Sequence, residues 1–219
     1  VSAVLLDIDG TLVDSNGAHA EAWAEALAEH GRRISVRALR QSIGKGGDKL
    51  LAELCGLDSE TDVGKQISKR RGEIFLEKYL PRLTAFPKAR ELVEALKAAH
   101  FEIGVATSAK AEEAEALLNV AGVADLIQAS TSSDDAENSK PDPDIVQAAL
   151  QQLRAPAAGS FLLGDTPYDV EAGLRAGVSV VAVCSGGWTP PELAGATACY
   201  DDVADLLRGL QKSPFMRGH

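Results

Sequence analysis

Cysteine is scarce in this chain: Cys55, Cys184 and Cys199 are the only three in 219 residues. An odd number, widely spaced and without a C-x-x-C pair, argues against a disulfide framework and reads as reduced thiols in a cytoplasmic protein. Basic residues are also in deficit, with 22 Lys and Arg against 32 Asp and Glu and a net charge of −10. That balance argues against a nucleic acid or an anionic membrane as the partner. It leaves small anions open, because a few placed cations outweigh a global field. No apolar run approaches the ~20 residues of a membrane span. The first apolar stretch, Val4 to Leu6, is broken by Asp7 and is too short for a signal peptide. No internal repeat or low-complexity tract is present. Position 1 is Val and not Met, which sets the expectation of a processed or trimmed start.

What remains is ordinary globular material, 45% hydrophobic and 25% charged, long enough for one to two domains and for a core that needs no staple. Short apolar runs alternate with helical patterns, which predicts a parallel sheet with covered faces. Strands are expected at Ala3–Leu6, Glu102–Thr107, Asp125–Ala129, Ser160–Gly164 and Val178–Val183. Helices are expected at Ala89–Ala99, Ala111–Ala121, Asp142–Leu153, Tyr168–Ala176 and Asp201–Leu210. From about Ser15 to Leu83 the alternation stops. Four helical patterns follow one another there: Ala18–Glu29, Val36–Gln41, Asp48–Leu54 and Val63–Tyr79. A helical unit of residues 15–83, inserted into an α/β core of residues 1–14 and 84–212, is the simplest account. Residues 213–219 read as a loose tail.

In an open parallel sheet, ligands bind beyond the carboxyl ends of the strands. Strand one is followed by Asp7, Asp9, Gly10 and Thr11, strand two by Thr107 and Ser108, and strand four by Asp165 and Asp169. Lys140 falls between strands three and four. Four carboxylates at one edge cannot all stay ionised without a cation, and an all-oxygen donor set suits Mg²⁺. Hydroxyls and a lysine beside that metal suit a bound phosphate. One aspartate can then attack phosphorus while the other moves the proton. The bland alternative for Asp7-Ile8-Asp9-Gly10-Thr11 is a polar turn that caps a helix.

The stretch Asp7-Ile8-Asp9-Gly10-Thr11-Leu12-Val13-Asp14-Ser15 resembles the first motif of the haloacid dehalogenase-like superfamily. Thr107 at the end of its strand resembles the second motif, Lys140 in Ser-Lys-Pro-Asp-Pro the third, and Gly164-Asp165-Thr166-Pro167-Tyr168-Asp169 the fourth. The inserted helices look like the cap of the phosphoglycolate phosphatase and β-phosphoglucomutase-like branch. The resemblance implies a Rossmann-like core of strand order 5-4-1-2-3 with a helical cap. It implies Asp7 as nucleophile and Mg²⁺ ligand, and Asp9 as general acid/base that binds the metal through its carbonyl. Thr107 and the Ser108 amide would hold phosphate oxygens, and Lys140 would neutralise charge. Asp165 would be a direct metal ligand and Asp169 an outer one. Dehalogenase members lack the second aspartate, so Asp9 argues for phosphoryl transfer.

The expected function is Mg²⁺-dependent hydrolysis of a small phosphorylated metabolite, of phosphoglycolate or sugar phosphate type, by a monomer or weak dimer. A sugar-phosphate mutase is the alternative; Thr11, the commoner phosphatase form, favours hydrolysis. A non-catalytic binding module would have lost Asp7, Asp9, Lys140 or Asp165, and none is lost. In the cap, His19 shares a helix face with Trp23 and Leu27. Trp23 and Leu27 read as core, whereas His19 suits either packing or gating of the acid/base. The run Gly44-Lys45-Gly46-Gly47-Asp48-Lys49 can bare amides to an anion, with Lys45 and Lys49 adding charge, or be a plain turn. Lys69-Arg70-Arg71 reads as a solvated helix face. Tyr168 and Trp188 read as packing residues.

Overall fold

The structure, a computed structural model, describes residues 1–216. Its centre is a six-stranded parallel sheet. The strands are β1 (Ala3–Leu6), β2 (Glu102–Ala106), β3 (Ala129–Thr131), β4 (Phe161–Gly164), β5 (Ser179–Val183) and β6 (Ala198–Tyr200). Their spatial order is β3-β2-β1-β4-β5-β6. The expected 5-4-1-2-3 order lies within it, and β6 is the departure: a short strand that pairs its Ala198 with Val181 of β5. The third strand begins where its predicted span ended, because Ala124–Leu126 forms a 3₁₀ turn instead.

The helices are α1 (Asn16–Glu29), α2 (Val36–Arg40), α3 (Gly47–Cys55), α4 (Asp62–Ile74), α5 (Ala89–Ala98), α6 (Ala111–Ala121), α7 (Asp144–Leu153), α8 (Pro167–Ala176) and α9 (Val203–Arg208). Strand periodicity decides how they are covered. Val4 and Leu6 of β1 face a core shared with α5, α6 and α9, while Ala3 and Leu5 face one shared with α7 and α8. Both faces of β1 are buried throughout, as a central parallel strand requires.

Helices α1 to α4 follow β1 directly, and their apolar residues, among them Trp23, Leu27, Leu39, Leu50 and Ile67, are continuous with the first of these cores. The two chain crossings that bracket them are hydrogen-bonded to each other, Phe86 N–H to Leu12 C=O at 2.9 Å and Asp14 N–H to Thr84 C=O at 3.2 Å. The predicted Val63–Tyr79 helix is α-helical only to Ile74 and continues as a π turn over Phe75–Tyr79. The expected tail is packed as far as Met216: Ser213 and Phe215 are buried, and Phe215 meets Phe161 edge-on at 4.9 Å. The rest of that expected tail, 217–219, lies outside the described residues. Among the described residues no helix is long and apolar enough to cross a membrane.

Candidate active site

The site lies where the sheet topology puts it, beyond the carboxyl ends of β1, β2 and β4. Asp7 directly follows β1, and its N–H donates to Leu163 C=O at 2.8 Å, which extends the ladder by one residue and fixes the side chain at the sheet edge. Asp165 directly follows β4. Asp169 is placed by a helix start: Thr166 caps α8, Pro167 opens it, and Asp169 closes a reciprocal capping box by accepting from Thr166 N–H at 3.0 Å. Carboxylate oxygens of Asp7, Asp165 and Asp169 lie within 4.8 Å of one another, all buried.

Lys140 reaches into this trio and is itself wholly buried. Its Nζ donates to Asp7 Oδ1 and to Asp169 Oδ1, both at 2.6 Å. Asp165 accepts from Thr11 Oγ1 and from Asn16 Nδ2, both at 3.0 Å. Three carboxylates against one ammonium leave an excess of two negative charges in a place closed to water. The titration behaviour follows. Burial, opposed by Lys140 and aided by the Asp169 and Asp9 charges, pushes Asp7 up to about 8. Burial, then the charges of Asp169 and Asp7, push Asp165 well above the usual carboxylate range. For Lys140, burial works against the charged form, but Asp169 and Asp7 overcome it and hold the ammonium more firmly than usual. A hard divalent cation matches this donor set in charge and in chemistry: oxygen ligands only, with a deficit of two positive charges.

Asp9 stands apart from the trio. Its Oδ1 is bonded to His19 Nε2 at 2.8 Å and accepts from Ser15 Oγ. Burial favours the neutral acid there, but the His19 charge and the hydrogen bonds from His19 and Ser15 win, with a contribution from Arg71, and hold the carboxyl below its ordinary range. His19 is itself fixed, stacked on Phe75 of the π turn with ring centroids 3.9 Å apart.

The remaining predicted residues line one cleft with Asp7 and Asp9. Thr107 is buried, with its Oγ1 accepting from Ala109 N–H at 3.1 Å. Ser108 Oγ donates to Gly44 C=O at 2.9 Å and so joins the β2 loop to the helical insertion. Lys45 lines the cleft but gives its charge to Glu53, with its Nζ 4.8 Å above the Tyr168 ring. Lys49, expected beside it, is the exception and does not line the cleft; its Nζ donates to Ser139 C=O at 2.6 Å and to Asp142.

Arg71 corrects the expectation of a solvated face. It is buried, lines the cleft, and donates from Nη1 to Glu113 Oε2 at 2.6 Å. The signal was in the spacing: Ile67, Arg71 and Ile74 recur at i, i+4 and i+7, and all three are buried. Trp23 also faces the cleft, with the Arg71 guanidinium 5.2 Å from its ring. Asn16 had no such signal, since its bond to Asp165 joins positions 149 apart.

A family model described as haloacid dehalogenase-like hydrolase matches residues 4–183. The phosphoglycolate phosphatase of Rhodospirillum rubrum is 34% identical over 213 residues, 93% of this chain and 88% of that protein. The pyrophosphatase PpaX of Oceanobacillus iheyensis is 26% identical over 183 residues, 84% of this chain and 83% of that protein. Among solved structures, a hydrolase from Pseudomonas syringae superposes with a TM-score of 0.88 at 30% identity, covering 97% of this chain and 99% of that one.

Proposed function

The chain belongs to the haloacid dehalogenase-like hydrolase family, and from that premise we propose that it is a Mg²⁺-dependent phosphatase that hydrolyses a small phosphorylated metabolite through an aspartyl phosphate. The observation that carries the proposal is the convergence of Asp7, Asp165 and Asp169 on one point, two positive charges short, with Lys140 between them. The phosphoglycolate phosphatase activity named for the Rhodospirillum rubrum relative supports a monoester as substrate.

Mg²⁺ would be held by Asp7, Asp165 and the Asp9 carbonyl, with Asp169 as an outer partner, and would neutralise the trio and the phosphoryl oxygens. Asp7 supplies the carboxylate oxygen that attacks phosphorus as the ester P–O bond breaks. Lys140 orients Asp7 from behind and offsets charge on the transferring group. Thr107 and the Ser108 amide hold phosphoryl oxygens at the end of β2. Asp9 gives a proton to the departing alkoxide and then takes one from the water that cleaves the aspartyl phosphate, which restores Asp7 and releases orthophosphate. The ionised, His19-bound Asp9 of this structure suits the second half of that cycle. For the first half the carboxyl turns from His19 to the ester and carries the proton. Residues 15–83 act as a cap on a core of 1–14 and 84–212, with the paired crossings near residues 14 and 84 as the hinge that admits substrate and water in turn.

The test is phosphate release over a panel of phosphate monoesters, with Mg²⁺ and with chelator, counted against isomerised sugar phosphate. Asp7→Asn keeps the fold and lowers kcat by about 10⁴-fold or more, in line with the loss of an enzymatic nucleophile. Undiminished release from that variant overturns the nucleophile assignment.

A further inference from the structure

We infer that Arg71 and Glu113 form a donor–acceptor pair that reads the leaving group and selects an uncharged, hydroxyl-bearing alcohol over one that carries a second anion. The inference rests on the phosphatase proposal above and narrows its substrate class.

The two side chains come from different layers, Arg71 from α4 and Glu113 from α6, and meet at the wall of the cleft that Asp7 and Asp9 floor. Their side chains are only 9% and 3% exposed. One guanidinium nitrogen is spent on Glu113, but Arg71 Nε is buried with no hydrogen-bond partner among the described residues. An unmet buried donor costs roughly 1–3 kcal/mol, so an acceptor that reaches it as the wall opens to admit a ligand recovers that amount. A hydroxyl is both acceptor and donor, and one such group, or two on adjacent carbons, can take from Arg71 and give to Glu113. A carboxylate or phosphate can only accept, and beside Glu113 it meets a like charge with little water to screen it.

Among the described residues, the basic side chains that line this cleft each face a carboxylate: His19 meets Asp9, Lys45 meets Glu53 and Arg71 meets Glu113. Lys140 is committed to the floor. The wall is therefore rich in paired donors and acceptors. The Trp23 ring, packed under the guanidinium, adds an apolar face for a carbon chain.

The experiment compares kcat/KM for phosphate release from esters of matched size: glycerol 1-phosphate against phosphoglycolate, and a hexose 6-phosphate against the hexose 1,6-bisphosphate, all with Mg²⁺. The expected preference for the hydroxylated ester is tenfold or more in each pair. Glu113→Gln keeps the side chain's shape, removes its charge and frees Arg71; it is expected to shift the ratio toward phosphoglycolate by tenfold or more. Equal or better use of phosphoglycolate by the unaltered enzyme overturns the inference and leaves the phosphatase proposal standing. A Glu113→Gln enzyme that slows both esters by the same factor also overturns it, because the pair is then only a clasp between α4 and α6. Should that variant fail to fold, the unaltered enzyme's preference decides alone. p-Nitrophenyl phosphate, which carries no second ionised group, reports the parent activity. No release from it or from any ester overturns the phosphatase proposal, and this inference with it.

Discussion

Lys140 and Arg71 are both buried cations that touch carboxylates at 2.6 Å, yet their surroundings are balanced in opposite ways. Lys140 serves two aspartates directly and has a third beside them, so the floor of the cleft is over-supplied with negative charge. Arg71 has one glutamate, and the wall comes out even. The difference assigns separate tasks. A surplus of buried negative charge is tolerable only where a cation completes it, whereas an even pair holds its place without help and can sort what lies against it.

The contrast breaks most visibly at Lys140. Lys140→Met removes the one cation that the described residues bring to the floor and leaves Asp7 and Asp169 facing each other in a dry site. The expected loss is about 3–5 kcal/mol, the usual cost of stripping one partner from a buried pair. Thermal unfolding in chelator checks it, with a fall of roughly 10 °C for a chain of this size. A Tm unchanged by the substitution would mean that the aspartates are not competing for that ammonium.

The next effect sharpens the same point through pH. Asp7 rises from an ordinary 3.8 to about 8 in the folded state, so between those values the folded protein binds more protons than the unfolded chain. Without metal, stability therefore falls as pH rises through that window. Mg²⁺ competes with those protons, so its stabilisation is expected to be larger at pH 8 than at pH 5. At about a hundredfold excess over its Kd, it reaches roughly 2.7 kcal/mol. Scans with Mg²⁺ and with chelator at both pH values test this, and equal shifts at the two would sink it.

The smallest effect belongs to the outermost pair. Lys45 and Glu53 are in contact, but the Glu53 side chain is 51% exposed. Glu53→Gln is expected to cost about 0–1 kcal/mol, as for other solvent-facing pairs, and to move the Tm by no more than a few degrees. A loss approaching that of Lys140→Met would erase the distinction between floor and wall.

That distinction also marks how far the sequence could be read. Asp7, Lys140, Asp165 and Asp169 were legible because a parallel sheet delivers every strand end to one edge, so spacing along the chain converts directly into proximity. β6 was not, since Ala198–Tyr200 is three half-buried residues without an apolar run. Phe215 was hidden as a lone aromatic in a short terminal segment with no helical or strand period, although it completes the Phe101 and Phe161 cluster. Arg71 was masked by its neighbours, because Lys69 is exposed, Arg70 is half-exposed and the three-residue run reads as uniformly solvated. Its pairing with Glu113 crosses from one layer to another over 42 positions, and helix periodicity carries no information about such a partner.

Asp165 fits its place only because two neighbours have no side chain. A Cβ built on Gly10 would come within 2.3 Å of Asp165 Oδ2, and one on Gly186 within 1.6 Å. Gly10 also holds a φ of +76°, which side-chain-bearing residues rarely adopt. The carboxylate thus sits in a mould cast from absent atoms, and even a methyl group on either side would evict it. Two positions with no reactive group are bound to the chemistry as tightly as the acid they flank, and a survey that ranked residues by reactivity alone would pass over both.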